Sequence, residues 1–378
     1  MIEFEILKKS KKSRARLGLL VTPHGVVETP CLVPVATQGA VKTLDSKEVE
    51  ATKSQILISN TFHLHSRPGE KIIKGSGGLH KFMNWPKPLM TDSGGYQVFS
   101  FGFGQEFKMG KMLNKTEPLS IKSGRQPKTL KITQDGVFFQ SPFDGSNLFL
   151  GPKESIKIQE QLGADIIFNF DECPPPIADY EYTKKSLKMT HLWAKVCLKS
   201  KITKQALYGI VQGGKFKDLR VESAKFVGSL PFHGFGIGGE LGFDKKAMFQ
   251  MLNWVTEVLP ENKPRHLLGN GHIDDLLKIF QSGADTVDCI IPTHYARCGT
   301  AFTSAGKIDI RKSIFSKDKV PLDKNCACYV CKEYKRNYLS HLMRVHEITA
   351  MKLLTFHNLY FFNTFIENIR EGIKSDRY

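Results

Sequence analysis

Short apolar runs, each ending in a polar or glycine-rich stop, set the rhythm of this 378-residue chain. From residue 31 onward there are eight: Leu32 to Val35, Ile56 to Ile58, Leu89 to Thr91, Ile166 to Phe170, Leu207 to Val211, Phe235 to Ile237, Leu267-Leu268 and Val287 to Ile291. Between several of them, apolar residues recur at i, i+3, i+4 and i+7. Such stripes are Met189, Leu192, Trp193 and Val196; Met248, Met251, Leu252 and Val255; and Ile273, Leu276, Leu277 and Phe280. Strands alternating with helices imply parallel βαβ units, and eight such units predict a closed (β/α)8 TIM barrel of the α/β class.

Two segments depart from that rhythm. Near the start, Phe4 and Ile6 alternate with acids, and a basic run from Lys8 to Arg16 leads into Leu17 to Val21. The turn Thr22-Pro23-His24-Gly25 then predicts an antiparallel hairpin within residues 1–30. Residues 101–150 form a basic insertion carrying Lys108, Lys111, Lys115, Lys122, Arg125, Lys128 and Lys131, with a second hairpin expected around Asp144-Gly145.

The stops after the strands are chemically unusual. They read Asp92-Ser93-Gly94-Gly95-Tyr96, Asp171-Glu172-Cys173, Gln212-Gly213-Gly214, Gly238-Gly239-Glu240 and Gly269-Asn270-Gly271, and the last strand carries Asp288. Strand C-termini of a barrel converge on one face, so acids, amides and glycines gathered there predict a pocket. Singly, each of these residues reads as a turn former or an ordinary loop residue; together they do not.

Charge narrows the partner. The chain has 54 Lys and Arg against 37 Asp and Glu, an excess of 17, which suits a polyanion such as RNA or DNA. No apolar run is long enough to span a membrane, and the acid-bearing start Met1 to Glu5 lacks a signal core, so a cytoplasmic protein is expected. Of eight cysteines, Cys326, Cys328 and Cys331 are clustered, which fits one metal site in a reducing compartment better than a disulfide framework. Zinc wants a fourth ligand; His341, His346 and His357 are candidates. His357 shares a helical stripe with Ala350, Leu353 and Leu354 that must pack inward. The expected organisation is one domain over 1–378: a β element at 1–30, a barrel at 31–315, and a metal subdomain with a closing helix at 316–378.

The assembled motifs resemble the tRNA-guanine transglycosylase (queuine tRNA-ribosyltransferase) family over nearly the whole chain. The resemblance rests on Thr91 to Phe99, Phe170 to Cys173, Gly209 to Gly214, Leu268 to Gly271, Asp288-Cys289 to Pro292-Thr293, and Cys326, Cys328, Cys331 and His357. It implies a barrel with an embedded zinc subdomain, a homodimer, and exchange of guanine at the wobble position of G-U-N anticodon tRNAs (Asp, Asn, His and Tyr type) for a 7-deazaguanine. It makes Asp288 the nucleophile and Asp92 the proton acceptor. A carboxylate that traps C1′ as an ester is the chemistry of retaining glycosidases. Asp171 would accept the two donors of guanine, Gln212 and the Gly239 N–H would donate to O6, and Tyr96 would stack on the base beside Ser93, Gly94 and Gly95.

By the same resemblance Gly269, Asn270, Gly271, His272, Ile273, Asp274 and Asp275, with Thr293, His294, Tyr295, Ala296 and Arg297, contact the anticodon loop. His294 stands where many members carry arginine, while Arg297 is retained. Cys173 matches members that use preQ1 (7-aminomethyl-7-deazaguanine), and Gly242 in Glu240-Leu241-Gly242-Phe243 suits the larger base queuine; preQ1 ranks first. A non-catalytic tRNA-binding partner is disfavoured by Asp92 and Asp288. An archaeal-type enzyme acting in the tRNA body is disfavoured by the expected lack of an extra C-terminal module. A zinc hydrolase is disfavoured because three cysteines and a histidine leave no open position.

Overall fold

The computed structural model describes residues 2–99, 130–141, 144–175, 178–239 and 245–378. The basic insertion up to residue 129, and the loop with Glu240 and Gly242, lie outside the described residues. Eight parallel strands form the barrel: β4 (Cys31–Pro34), β5 (Leu57–Ser59), β6 (Leu89–Thr91), β10 (Ile166–Phe168), β11 (Ala206–Val211), β12 (Gly234–Ile237), β13 (Arg265–Leu267) and β14 (Thr286–Cys289). Their order is β4-β14-β13-β12-β11-β10-β6-β5. A parallel bridge between Val35 and Ile58 joins β5 back to β4 and closes the ring. All eight predicted runs are strands.

Most of these strands are buried along their whole length, and β11 has no exposed residue. Inward-facing Val33, Ile58, Met90, Ile166, Phe168, Tyr208 and Ile210 fill the barrel, and outward-facing residues pack under the helices. The N-terminal sheet of β1 (Glu3–Lys9), β2 (Arg16–Thr22) and β3 (Gly25–Thr29) contributes Leu20 and Val27 to the inner cluster, closing the N-terminal mouth. Only the opposite, C-terminal mouth is left for a ligand. A second small sheet, β7 (Leu130–Ile132), β8 (Val137–Gln140) and β9 (Asn147–Leu150), contains the hairpin expected around Asp144-Gly145.

Two expectations shift. The run Val287 to Ile291 stops as a strand at Cys289, because Pro292 starts the helix Ile291–Arg297, where its missing N–H costs nothing. The stripe Met189, Leu192, Trp193, Val196 lies in the helix Tyr180–Ser200, but the buried face is Thr183, Ser186, Leu187, Thr190, Trp193, Ala194 and Cys197, and Leu192 is 40% exposed. Small and hydroxyl side chains let that helix sit close to the barrel and bond its backbone, so its buried face extends beyond the apolar stripe, of which Trp193 is fully buried and Met189 packs against the core.

After β14 the chain forms the hairpin of β15 (Thr300–Thr303) and β16 (Gly306–Asp309), then a cysteine-bearing segment. It ends in the helix Ile348–Lys374, which packs against the helix Ile291–Arg297 and β4. No described helix is long and apolar enough to cross a membrane.

Candidate active site

The strand C-termini surround a cavity of about 260 Å³. Asp92 and Ser93 enter it from the end of β6, Asp171 and Cys173 from beyond β10, Gln212 from β11, Gly238 and Gly239 from β12, and Asp288 from β14. Tyr96, Val35, Ile58, Phe168, Ile210 and Leu268 supply apolar walls. Three carboxylates share the cavity, and no lysine or arginine is among the described residues lining it.

Asp92 is held by the start of the helix Thr61–Ser66. Its Oδ1 accepts the N–H of Thr61 at 2.9 Å and of Gly94 at 3.2 Å, and Asn60 Nδ2 donates to Oδ2. Burial, reinforced by the charge of Asp288, outweighs these donors and pushes its carboxyl up to about 7. A carboxyl poised near neutrality can both give and take a proton. Asp288 Oδ1 accepts the Gly269 N–H at 2.7 Å and lies 3.1 Å from Nε2 of His266. His266 is fully buried, and its Nδ1 lies 2.8 Å from Thr286 Oγ1. With the threonine hydroxyl donating to Nδ1, Nε2–H is left to donate to the carboxylate.

Asp171 is almost fully buried. Its Oδ1 accepts from Ser93 Oγ at 3.2 Å and its Oδ2 from Gln212 Nε2 at 2.8 Å; burial still pushes it up to about 6. Gly95 sits behind it: a Cβ there would lie 2.8 Å from the Asp171 carbonyl oxygen, so only glycine lets the two segments meet. Gly239 has φ +87°, and a Cβ on it would lie 2.7 Å from Arg220 Nη2 and 2.8 Å from Gln212 Oε1. The cavity thus joins a carboxylate acceptor, an amide donor and apolar walls, which suits a flat heterocycle with donors and an acceptor along one edge.

Of the stretch 269–275, Gly269 lines the cavity, Asn270 Nδ2 donates to the Leu268 carbonyl at 3.2 Å, His272 caps the helix Ile273–Gln281, Asp274 is exposed, and Asp275 is paired with Lys245 at 2.8 Å. In 293–297 the side chains of Thr293 and Ala296 turn inward, while His294 is exposed and Tyr295 and Arg297 are half-buried. Arg297 Nη1 donates to the Thr293 carbonyl at 2.8 Å. Asn60, His266 and Arg220 were not anticipated from sequence. They act on the site through contacts between distant strands, and no local pattern marks them.

Two described groups bring metal-binding atoms together. Cys326, Cys328 and Cys331 present Sγ atoms 3.8, 3.5 and 3.3 Å from His357 Nδ1. Tetrahedral zinc, with bonds of about 2.3 Å to sulfur and about 2.0 Å to nitrogen, requires edges of about 3.6 Å. His357 Nε2 donates to the Phe302 carbonyl at 2.8 Å, which fixes the ring and leaves Nδ1 for a metal. His341 and His346 are exposed and outside the cluster. The second group, His24, His80 and Asp165, lies at the closed end of the barrel. Its imidazoles stack with centroids 3.5 Å apart and planes 17° apart, so their in-plane lone pairs do not meet at one ion. It is a hydrogen-bonded bundle on Asp165.

The family model described as queuine tRNA-ribosyltransferase matches residues 10–378. The chain is 45% identical over 379 residues to the queuine tRNA-ribosyltransferase of Caldanaerobacter subterraneus subsp. tengcongensis, covering 100% of this chain and 94% of that one. It is 44% identical to that of Acetivibrio thermocellus over 379 residues (100% and 95%), and 43% identical to that of Natranaerobius thermophilus over 380 residues (100% and 96%).

Proposed function

The chain belongs to the queuine tRNA-ribosyltransferase family of tRNA-guanine transglycosylases, and on that premise we propose that it replaces guanine 34 of G-U-N anticodon tRNAs with preQ1. Asp288 attacks C1′ of the wobble nucleotide. The C1′–N9 bond breaks as the carboxylate–C1′ ester forms, and Asp92 in its acid form protonates the departing guanine. The ionised Asp92 then takes a proton from the incoming base, whose N9 displaces Asp288 from C1′. Asp171 receives the base's N1–H and 2-amino donors, Gln212 and Gly239 face its O6, and Tyr96 stacks on its ring. The observation that carries this reading is the convergence of Asp92, Asp171 and Asp288 on one cavity, with Asp92 raised to about 7. A non-catalytic subunit would have no use for two carboxylates so arranged.

In this reading the Cys326, Cys328, Cys331 and His357 cluster holds a structural zinc ion, whose closed coordination sphere leaves no place for substrate. The zinc would brace the segment between β16 and the closing helix. The protein acts as a homodimer, and His294, Tyr295 and Arg297 meet the anticodon loop. The incoming base is decided by mass spectrometry of the wobble nucleoside after incubation with unmodified tRNA and either preQ1 or queuine. Incorporation of preQ1 alone is expected. Incorporation of queuine would make this a salvage enzyme, and incorporation of neither, with tRNA still bound, would contradict base exchange.

A further inference from the structure

Beneath the cavity, the helix Lys217–Ser229 carries a fully buried arginine, Arg220. No carboxylate among the described residues pairs with it. It donates instead to three backbone carbonyls: Nε to Gly214 at 2.7 Å, and Nη1 to Gly238 at 2.7 Å and to Val211 at 3.3 Å. Its Nη2 is buried without a hydrogen-bond partner among the described residues, as is Gln212 Oε1. Both lie under 3 Å from the point a Gly239 Cβ would occupy. An unpaired buried guanidinium is costly for stability, and packing alone would be served by an apolar side chain.

Its three carbonyl partners are not random. The Gly238 carbonyl belongs to the same peptide plane as the Gly239 N–H, and the Val211 carbonyl belongs to the peptide that leads into Gln212. A charged donor on a carbonyl polarises that peptide and strengthens its N–H as a donor. We propose that Arg220 is a positioning residue for the oxo edge of the base: it fixes the Gln212 and Gly239 segments and makes the Gly239 N–H a stronger donor to O6. Its charge lies on the side where a departing guanine gathers negative charge, so it favours departure without touching the base. The inference rests on the base-site reading above and assigns it a residue that reading does not contain.

The test compares binding of free guanine with that of 2-aminopurine, which lacks the oxo group and the N1–H that faces Asp171, by calorimetry on the full chain; the Arg220 variants isolate the oxo edge, because Asp171 is unchanged in them. The wild-type protein should prefer guanine. Arg220→Met and Arg220→Lys should lower that preference about tenfold, through weaker guanine binding, with 2-aminopurine binding unchanged. Parallel weakening of both ligands, or an unchanged preference, would show a merely structural arginine and overturn the proposal. A wild-type protein with no preference for guanine would sink the base-site reading itself. If the Met variant fails to fold, Arg220→Lys and nitrogen-15 spectra of the wild-type arginines carry the test. The Arg220 side-chain signal should shift with guanine and not with 2-aminopurine, and equal shifts would count against the role.

Discussion

Glu172, beside the cavity residue Asp171, is a buried acid whose ionisation costs stability. It is buried next to Asp171, accepts the Tyr182 hydroxyl at 3.0 Å, and is pushed up to about 7, chiefly by burial. A carboxyl raised in the folded state holds its proton longer folded than unfolded, so stability falls as pH rises from its ordinary value of 4.5 towards 7. Glu172→Gln keeps the acceptor and removes the ionisation. It should be more stable than wild type by about 3 kcal/mol at pH 8 and equal to it well below pH ~4.5, as measured by denaturant melts at the two pH values. Asp92 should give exchange its pH dependence. In the proposed mechanism the acid form expels guanine and the ionised form accepts a proton from the incoming base, so the rate should fall on either side of about pH 7. A flat profile between pH ~5.5 and ~8.5 would contradict that role. Asp92 and Asp171 stood out in the sequence because each ends an apolar run, and Asp288 because it interrupts one. Arg220 and His266 were not, because their meaning comes from neighbours on other strands.

Among the elements, the strands were the most legible. A parallel barrel strand is buried on both faces and reads as a bare apolar run bounded by glycine or polar residues. The helix Tyr180–Ser200 was found, but most of its buried face was not, since Thr183, Ser186 and Thr190 are buried there and carry no apolar signal. Thr190 and Ser186 are spent on the Glu172 backbone, a demand set by tertiary contact. The metal cluster spans two elements: a tight cysteine loop and the inward face of the helix Ile348–Lys374. The stripe through Ala350 and Leu354 pointed to His357, and burial of all four residues agrees with it. If the cluster holds zinc, Cys328→Ser should lose one zinc per chain by elemental analysis and lower the thermal midpoint by about 10 °C or more. A variant that keeps the wild-type midpoint would show that the metal does not brace the closing helix.

At the scale of the whole molecule, a chain with an excess of 17 positive charges has a cavity lined by three carboxylates. The outer field draws a polyanion, while the acids inside favour a base edge rich in donors over a phosphate. Affinity for tRNA should therefore fall steeply between about 50 and about 200 mM salt, whereas affinity for free guanine should change little. The central claim is that Asp288 becomes covalently joined to tRNA. The direct measurement is a denaturing gel of the full chain with end-labelled unmodified tRNA. A protein-linked tRNA band is predicted for the wild type; it should disappear on addition of guanine and be absent in Asp288→Asn. No such band in the wild type under conditions of active exchange, or an undiminished band in Asp288→Asn, would contradict the account.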